Sequence, residues 1–229
     1  MKIRVLFFAI VLCASSLANA QIRVAKVSLS SAAIGAVGVS FEKVKDKQFS
    51  WQLGMSYRPE MNGPNFLLQG GESEFELTGA KSTGMAFHGE YRFYTNKARQ
   101  QPVKPYIAMY LQHSLLGLQA KYKKETFDYA FTADWNYTTL GIQYGIQWIK
   151  NDRYALDLTL LGFGVNSNRL TGTAEVDPVA SVGFFEEHLN GIPQIGQRFG
   201  LEGKDGNYTF DENFVAVSLR FALRVGWLF

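Results

Sequence analysis

Residues 215–229 alternate strictly between large apolar positions and positions that are small or cationic. Every odd position is large and apolar, and every even position except Leu228 is small or cationic. A period of two predicts a β-strand with two unlike faces. Strands of globular proteins usually have about 5–6 residues, whereas a strand that crosses a bilayer needs about 9–11 tilted residues. The pattern therefore predicts a membrane-crossing strand.

The same alternation recurs along the chain and predicts eight strands. They are centred on residues 25–29, 37–42, 49–57, 85–93, 106–122, 139–148, 154–160 and 215–229. The faces of segment 106–122 are too mixed to orient. The phase slips at Leu161, which indicates a bulge or the point where the strand leaves the membrane. The small residues 31–35 connect the first two strands; one long strand through Ala33 is the alternative.

Short and long connections alternate between these strands. Polar turns are predicted near Lys45, Gln100 and Asn151, and long loops over residues 58–79, 123–134 and 166–213. In outer-membrane barrels the short turns face the periplasm and the long loops face outside. Both chain ends are then periplasmic, which requires an even strand number and favours two strands before residue 42. Asp177 and Pro178 predict a short helix over residues 178–190, with an irregular loop as the alternative.

The first twenty residues have the pattern of a cleaved signal peptide. Lys2 and Arg4 are followed by a short apolar stretch, and Ala18 and Ala20 form a small-x-small cleavage site. Cleavage removes the lone cysteine, Cys13, so the mature chain would have no disulfide. It also leaves 21 basic and 20 acidic residues of the original 23 and 20, so the basic balance is no evidence for a nucleic-acid partner.

These patterns predict one fold class. Residues 21–229 are expected to form a single all-β domain, an eight-stranded antiparallel up-and-down transmembrane β-barrel with a short helix in its last long loop. After the signal, no stretch of eighteen consecutive apolar residues occurs. A membrane protein without such a helix must be a closed barrel, because helices and closed barrels alone satisfy every backbone polar group in lipid.

The faces opposite the apolar ones are expected to point into the lumen and to form a charge network there. Three acids, four certain bases and one histidine fall on them: Lys26, Glu42, His88, Glu90, Arg92, Asp157, Arg220 and Arg224. An eight-stranded barrel is just wide enough to be filled by side chains. Nearly balanced charges predict a salt-bridged lumen, not a channel.

Aromatic residues near the predicted short turns and the last strand suggest an interfacial girdle at the periplasmic side. They are Phe49, Trp51, Phe93, Tyr94, Tyr106, Trp148, Tyr154, Trp227 and Phe229.

The sequence contains little that points to catalysis. His88 and Glu90 share a strand face, so His88 as a general base oriented by Glu90 is one reading, and a hydrogen-bonded lumen network is the favoured one. His113 and Ser114 are strand neighbours and point to opposite faces. Three histidines and a mature chain without cysteine make a transition-metal site unexpected. No catalytic residue, cofactor or metal site is assigned.

The whole mature chain resembles the small eight-stranded outer-membrane barrels, the OmpA/OmpX-like superfamily. It is similar in particular to an uncharacterised family of such barrels, through residues 37–43 followed by the strand 49–57. The resemblance implies a location in the outer membrane of a double-membraned bacterium, in contact with outer-membrane lipid. It also implies that the barrel-insertion machinery reads the final strand, whose signal residues are Leu223, Val225, Trp227 and Phe229.

Three functions stay open on the sequence. The favoured one is a structural or surface-interaction barrel whose long outer loops meet an unidentified extracellular or membrane-protein partner. The alternative is an accessory subunit of an outer-membrane secretion or transport complex. A lipid-modifying barrel enzyme is the third, and it would need a nucleophile and a base together near the outer rim.

Overall fold

The computed structural model describes residues 23–46, 48–62, 76–95, 103–124, 127–175, 202–204 and 207–229. The segment expected to be the signal peptide, with Ala18 and Ala20, lies outside these residues, and so does the helix expected over residues 178–190. In the described part of the chain, no helix is long and apolar enough to span a membrane.

Eight strands form one closed antiparallel ring in chain order. The strands and helix are β1 (Arg23–Ser28), α1 (Leu29–Ala33), β2 (Val37–Asp46), β3 (Phe49–Asn62), β4 (Glu76–Tyr94), β5 (Val103–Lys124), β6 (Phe127–Lys150), β7 (Tyr154–Glu175), β8 (Glu202–Lys204) and β9 (Asn207–Leu228). Each strand pairs with its neighbour, β1 pairs with β9 to close the ring, and the three-residue β8 adds to the end of β9. The predicted eight-stranded up-and-down barrel is confirmed.

Closure occurs over five residues of each terminal strand. Residues 24–28 of β1 pair with residues 228–224 of β9. The backbone groups of Arg23 and Phe229 exchange hydrogen bonds of 3.3 and 3.0 Å, and the Phe229 ring lies 6.2 Å from that of Phe41. We call the end where β1 begins, β9 ends and the chain passes from β2 to β3, from β4 to β5 and from β6 to β7 the turn end, and the opposite end the projecting end.

The short connection predicted between the first two strands contains a helix. Ser28 caps α1, because its hydroxyl accepts from the Ser31 N–H at 3.2 Å. After the helix Gly35 takes φ +76, the left-handed conformation that favours glycine. The prediction of two strands here is right, but β1 ends at Ser28, and Leu29 begins the helix.

An apolar band surrounds the barrel on the turn-end side. On β4 to β7 the outward side chains of residues 85–93, 107–111, 140–148 and 154–165 are predominantly apolar, and on β9 the band covers residues 215–229. Four of these five stretches have 9–15 residues, enough for a tilted strand, which needs about 9–11 residues to cross a bilayer. Within the band, Leu160 and Leu161 are both exposed where the β7–β9 register shifts, as the phase slip predicted.

Beyond the band the strands continue as a polar-walled extension. The outward positions here include Lys81, Gln119, Asp134, Arg169 and Asp211, all exposed. Arg169 donates to Asp211 through Nε at 3.0 Å and through Nη2 at 2.7 Å, and this hydrogen bonding lowers the pKa of the Asp211 carboxyl from its ordinary value.

The extension corrects the three predicted loops. Residues 58–62 and 76–79 belong to β3 and β4, residues 123–124 and 127–134 to β5 and β6, and residues 166–175 and 207–213 to β7 and β9. Outside lipid the outward positions no longer need to be apolar, so the alternation that marks a strand disappears although the strand pairing continues.

Candidate functional site

The lumen near the turn end holds two cations and two carboxylates that pair with one another. Lys26 Nζ lies 2.6 Å from Glu42 Oε2 and also contacts Asp157 Oδ2. Arg92 Nη1 lies 2.7 Å from Asp157 Oδ2 and 3.6 Å from Glu42 Oε2. All four side chains are fully buried, so removing any one of them leaves an uncompensated buried charge.

Glu90 forms a second centre, next to the first, in which three arginines share one carboxylate. Arg92 donates to Oε2 through Nε at 2.9 Å and through Nη2 at 2.6 Å. Arg220 and Arg224 each donate through Nη2 to Oε1 at 2.9 Å. Arg92 and Lys26 together balance the charges of Glu42 and Asp157. Arg220 and Arg224 then face the single charge of Glu90, so the network has one positive charge in excess.

Neutral side chains complete the hydrogen bonding of the carboxylates. Tyr94 donates to Glu42 Oε1 at 2.5 Å, Gln147 donates to Glu42 Oε2 at 2.8 Å, and Tyr106 donates to Asp157 Oδ1 at 2.8 Å. The guanidinium of Arg92 lies 4.3 Å from the centre of the Tyr106 ring, within cation–π range. The network therefore connects side chains of β1, β2, β4, β5, β6, β7 and β9.

Tyr94 and Tyr106 correct the predicted aromatic girdle. Both are buried in the lumen, because Tyr94 follows the outward Phe93 and Tyr106 has the inward parity of Ala108 and Tyr110. The other proposed members do not point into the lumen. Phe93, Trp148, Tyr154, Trp227 and Phe229 are exposed, and Phe49 and Trp51 are half-buried.

Glycines on β6 make room for the lumen tyrosines of β5. A Cβ on Gly145 would lie 2.5 Å from Tyr106 Oη, and a Cβ on Gly141 would lie 2.7 Å from the Tyr110 ring. The alternating small residues on β6 therefore indicate bulky neighbours on β5. This signal in the sequence would have oriented the strand that its own hydropathy left undecided.

His88 lies at the edge of this network without joining it by a hydrogen bond. Its Nε2 is buried and has no hydrogen-bond partner among the described residues, whereas Glu90 accepts from the arginines and Gln143. The geometry therefore lacks the His88–Glu90 hydrogen bond that a general base would need. His113 is exposed and contacts Thr138 at 2.9 Å, while Ser114 is buried, so they face opposite ways as predicted.

A cavity of about 460 Å³ lies beside His88, on the projecting side of the charge network. Its polar lining faces the lumen and includes Ser114, Arg220 and Arg224. The residues around it also include Leu219 and Phe221 of β9, whose outward side chains are 62% and 63% exposed. The barrel wall beside these two residues is interrupted among the described residues.

The interruption lies along β9. Within the described residues, β9 pairs with β8 through residues 207–209 and with β1 through residues 224–228. Between these two stretches, residues 213–223 have β7 as their strand partner and no strand on the other side. We call this interval the seam. At its lower end the Leu223 N–H donates to Ser30 Oγ of α1 at 3.4 Å, so the helix occupies the place where β1 would have continued.

The outward side chains at the seam are unusually exposed. Val215, Val217, Leu219 and Phe221 are 62–77% exposed, whereas the exposed apolar side chains of β4 to β7 range from 36% to 60%. The side chains of a strand that lacks a neighbour on one side are less buried. The alternation within single strands predicts neither the seam nor the cavity.

Among the described residues, no group of three or more His, Cys, Asp or Glu side chains is placed to hold a metal ion. The lumen carboxylates are instead bound by cations, amides and hydroxyls of the chain itself.

Comparison with known proteins identifies a family and several similar solved structures. Residues 5–171 match the family described as "Protein of unknown function (DUF3575)". No curated protein matches the chain.

Three solved structures are similar at low identity. A major outer membrane protein from Thermus thermophilus has 11% identity and a TM-score of 0.43, with 91% of this chain and 99% of that chain covered. The ferric yersiniabactin uptake receptor FyuA from Yersinia pestis has 11% identity and a TM-score of 0.40, with 93% and 28% covered. Acinetobacter baumannii CarO has 10% identity and a TM-score of 0.39, with 91% and 96% covered.

Proposed function

Since the chain belongs to the DUF3575 family, whose function is unknown, we propose its role from its geometry. The protein is a non-conducting outer-membrane β-barrel that meets partners through its projecting end. The observation that carries this proposal is the division of the outer wall into an apolar band and a polar extension built from the same strands.

The band supports the membrane location. A ring of exposed apolar side chains would be unfavourable in water, and exposed apolar surface of this extent is typical of a membrane contact. The polar wall above it would not lie in lipid, where a charged side chain costs about 2–4 kcal/mol near the midplane. The exposed ion pairs Lys81–Glu60 and Arg169–Asp211 are therefore expected to lie in water.

The charge network supports the absence of a channel. Arg92, Tyr106 and Gln147 reach into the lumen at one level, and each is fixed by hydrogen bonds to side chains of other strands. An eight-stranded barrel has room for little more than such side chains. Ions would have to displace buried, hydrogen-bonded groups in order to pass.

Planar-bilayer recording tests this part of the proposal. Purified protein that is heat-modifiable, and so folded, should show no stable conductance above that of the empty bilayer. A larger porin inserted under the same conditions serves as the positive control. Steady openings of the folded protein would show that the network does not close the lumen.

Cysteine labelling tests which end projects to the outside. The sole cysteine, Cys13, lies in the expected signal peptide, so introduced cysteines can be labelled cleanly. An impermeant maleimide should label Gln119→Cys, on the exposed wall of the extension, in intact cells. It should label Lys150→Cys, at the turn end, only after the outer membrane is opened. The reverse pattern would place the extension in the periplasm.

Insertion by the barrel-assembly machinery is also part of the proposal, with Leu223, Val225, Trp227 and Phe229 as the signal. Phe229→Ala should lower the amount of folded protein in the outer membrane more than Phe221→Ala does. Both changes remove an exposed aromatic from the C-terminal segment, and they differ in whether they touch the signal. Equal amounts of the two variants would remove the role assigned to Phe229.

A further inference from the structure

We propose that the cavity beside His88 binds a single-chain anionic amphiphile, with a carboxylate or phosphate head, that enters sideways from the membrane through the seam. The head group would lie against Arg220 and Arg224, and the acyl chain would leave the barrel between the outward side chains at the seam. This site goes beyond the interaction role of the projecting end and does not depend on it.

The charges on the inner wall of the cavity select an anion. Arg220 and Arg224 share Glu90 with Arg92, and each leaves its Nη1 without a hydrogen-bond partner among the described residues, although Arg224 Nη1 lies 3.7 Å from Asp157 Oδ2. The Arg220 side chain is 13% exposed, and its guanidinium lies 4.6 Å from the centre of the Tyr110 ring, which holds it in place. A planar guanidinium with free N–H groups fits carboxylate and phosphate oxygens.

Neutral polar groups add donors beside the arginines. His88 Nε2 is buried and without a hydrogen-bond partner among the described residues, and His88, Gln112 and Ser114 line the same cavity. Buried polar groups of a folded protein are normally hydrogen-bonded. Gln112 already donates to Ser114 at 3.1 Å, so His88 Nε2 is the group here that a polar head group would complete, next to an excess of positive charge.

The seam offers an apolar exit beside the head-group site. Leu219 and Phe221 flank Arg220 on β9 and border the cavity, and their outward side chains are 62% and 63% exposed. The volume of about 460 Å³ is within the range of about 300–1,000 Å³ that is usual for small-molecule sites. A ligand there would be polar inside the barrel and apolar where it meets lipid.

The backbone at the seam favours a route through the wall. Strand residues direct their N–H and C=O groups alternately to the two sides. Because the Leu223 N–H points toward α1, the groups of Val217, Leu219 and Phe221 point the same way, into the seam. Among the described residues no strand pairs with these groups, so no strand closes the wall on this side of β9.

A second copy of the chain is the competing occupant. Strand-to-strand pairing at residues 213–223 would satisfy the backbone groups. It would not reach Arg220, Arg224 or His88, because these side chains line the cavity on the lumen side of the wall. The buried cations favour the amphiphile, and the test below separates the two.

The binding test uses wild-type protein in phosphatidylcholine nanodiscs, with empty nanodiscs subtracted. The probe is 11-(dansylamino)undecanoate, and the competitors are dodecanoate, dodecyl phosphate, dodecanol and dodecyltrimethylammonium. Dodecanoate and dodecyl phosphate should displace the probe at least about tenfold better than the neutral and cationic competitors, as expected for one charge-assisted hydrogen bond. Stronger displacement by dodecanoate would identify a fatty acid, and stronger displacement by dodecyl phosphate would identify a phosphate-headed lipid.

Two variants distinguish binding of the head group from binding of the acyl chain. Arg220→Gln should weaken binding of the anions about tenfold or more and leave dodecanol unchanged. Arg169→Gln is the matched control, since it removes the same charge from the exposed wall of the extension. Ala86→Leu, which adds bulk on the cavity wall without changing charge, should weaken the anions and dodecanol alike. Heat-modifiable migration confirms that each variant is folded.

Several results would overturn the proposal. Equal competition by dodecanoate and dodecanol in the folded wild type would mean that the arginines do not select the ligand. Binding that is unchanged in both Arg220→Gln and Ala86→Leu would place the probe on the apolar band, outside the cavity. Absence of probe binding, together with a disulfide-linked dimer of Val217→Cys, would show that a second copy covers the seam.

Discussion

Arg92 of β4 and Asp157 of β7 meet across the lumen, where Arg92 Nη1 donates to Asp157 Oδ2 at 2.7 Å although the residues are 65 positions apart. The two strands are not neighbours in the ring, since β5 and β6 lie between them on one side. The contact therefore ties opposite parts of the wall through the interior. It also fixes register, because a shift of one residue would move either charge to the lipid face.

Replacing Arg92 tests how far the barrel depends on this contact. Arg92→Gln should lower the free energy of unfolding by about 3–5 kcal/mol, because Asp157 and Glu90 would then be buried with fewer partners. Urea unfolding in detergent micelles, followed by heat-modifiable migration, measures the change. Arg169→Gln removes an arginine from an exposed pair and should shift the midpoint little. Equal shifts for the two variants would mean that the lumen network contributes no more than a surface ion pair.

Gly145 tests the close packing between β6 and the lumen tyrosines. Gly145→Ala would place a methyl group 2.5 Å from Tyr106 Oη and 2.7 Å from the Leu158 carbonyl oxygen. Neither the ring, held by Asp157, nor the backbone can move freely, so the free energy of unfolding should fall by about 1–3 kcal/mol. Gly79→Ala, where no atom lies within 4 Å of the new methyl group, is the matched control. Urea midpoints that are the same for both variants would contradict the packing described here.

Leu111 tests the apolar band. It is exposed on β5 within the band, and Leu111→Arg should reduce insertion because a cation facing lipid costs up to about 2–4 kcal/mol. Gln119→Arg also introduces an arginine on the outer face of β5, but in the extension, and this variant should insert normally. The amount of heat-modifiable protein in outer-membrane fractions measures the difference. Normal insertion of Leu111→Arg would show that the band lies elsewhere.

Amide hydrogen exchange tests the seam. In β9 the N–H groups of Val217, Leu219 and Phe221 point into the seam, whereas those of Ser218 and Arg220 point to β7. Exchange should therefore alternate, fast at the odd positions and slow at the even ones, and become slow throughout below Leu223 where β1 pairs. β6, paired on both sides, supplies the control in the same NMR spectrum of micellar protein. Uniformly slow exchange along residues 213–223 would mean that another strand or segment already pairs there.

The band of the barrel was predictable because it depends on local information. Lipid on one side and a filled lumen on the other impose a period of two on each strand. Strand number, the faces of β4 and β9 and the inward placement of Arg92 and Asp157 could therefore be read from single segments. Tyr106 and Tyr110 were harder, because a large aromatic is compatible with either face and its direction depends on glycines of the adjacent strand.

The strand ends were not predictable from hydropathy. Above the band, water lies on the outside, and polar positions such as Gln119 and Asp134 carry no alternation although β5 and β6 continue. Strand pairing there is maintained by hydrogen bonds between neighbours that are distant in sequence. The loops inferred from the loss of alternation were consequently too long.

In the membrane-crossing strands with clear alternation, β5 excepted, the sequence by itself determined which residues face lipid and which face the lumen, because that choice is made residue by residue through solvation. Only the tertiary structure decided which lumen charges pair, and that Arg220 and Arg224 are left with one positive charge in excess. It also decided that β1 ends at Ser28, opposite Arg224, whereas β9 extends from Arg224 toward the projecting end. These features depend on how strands of unequal length meet when the ring closes, and no single segment contains that information.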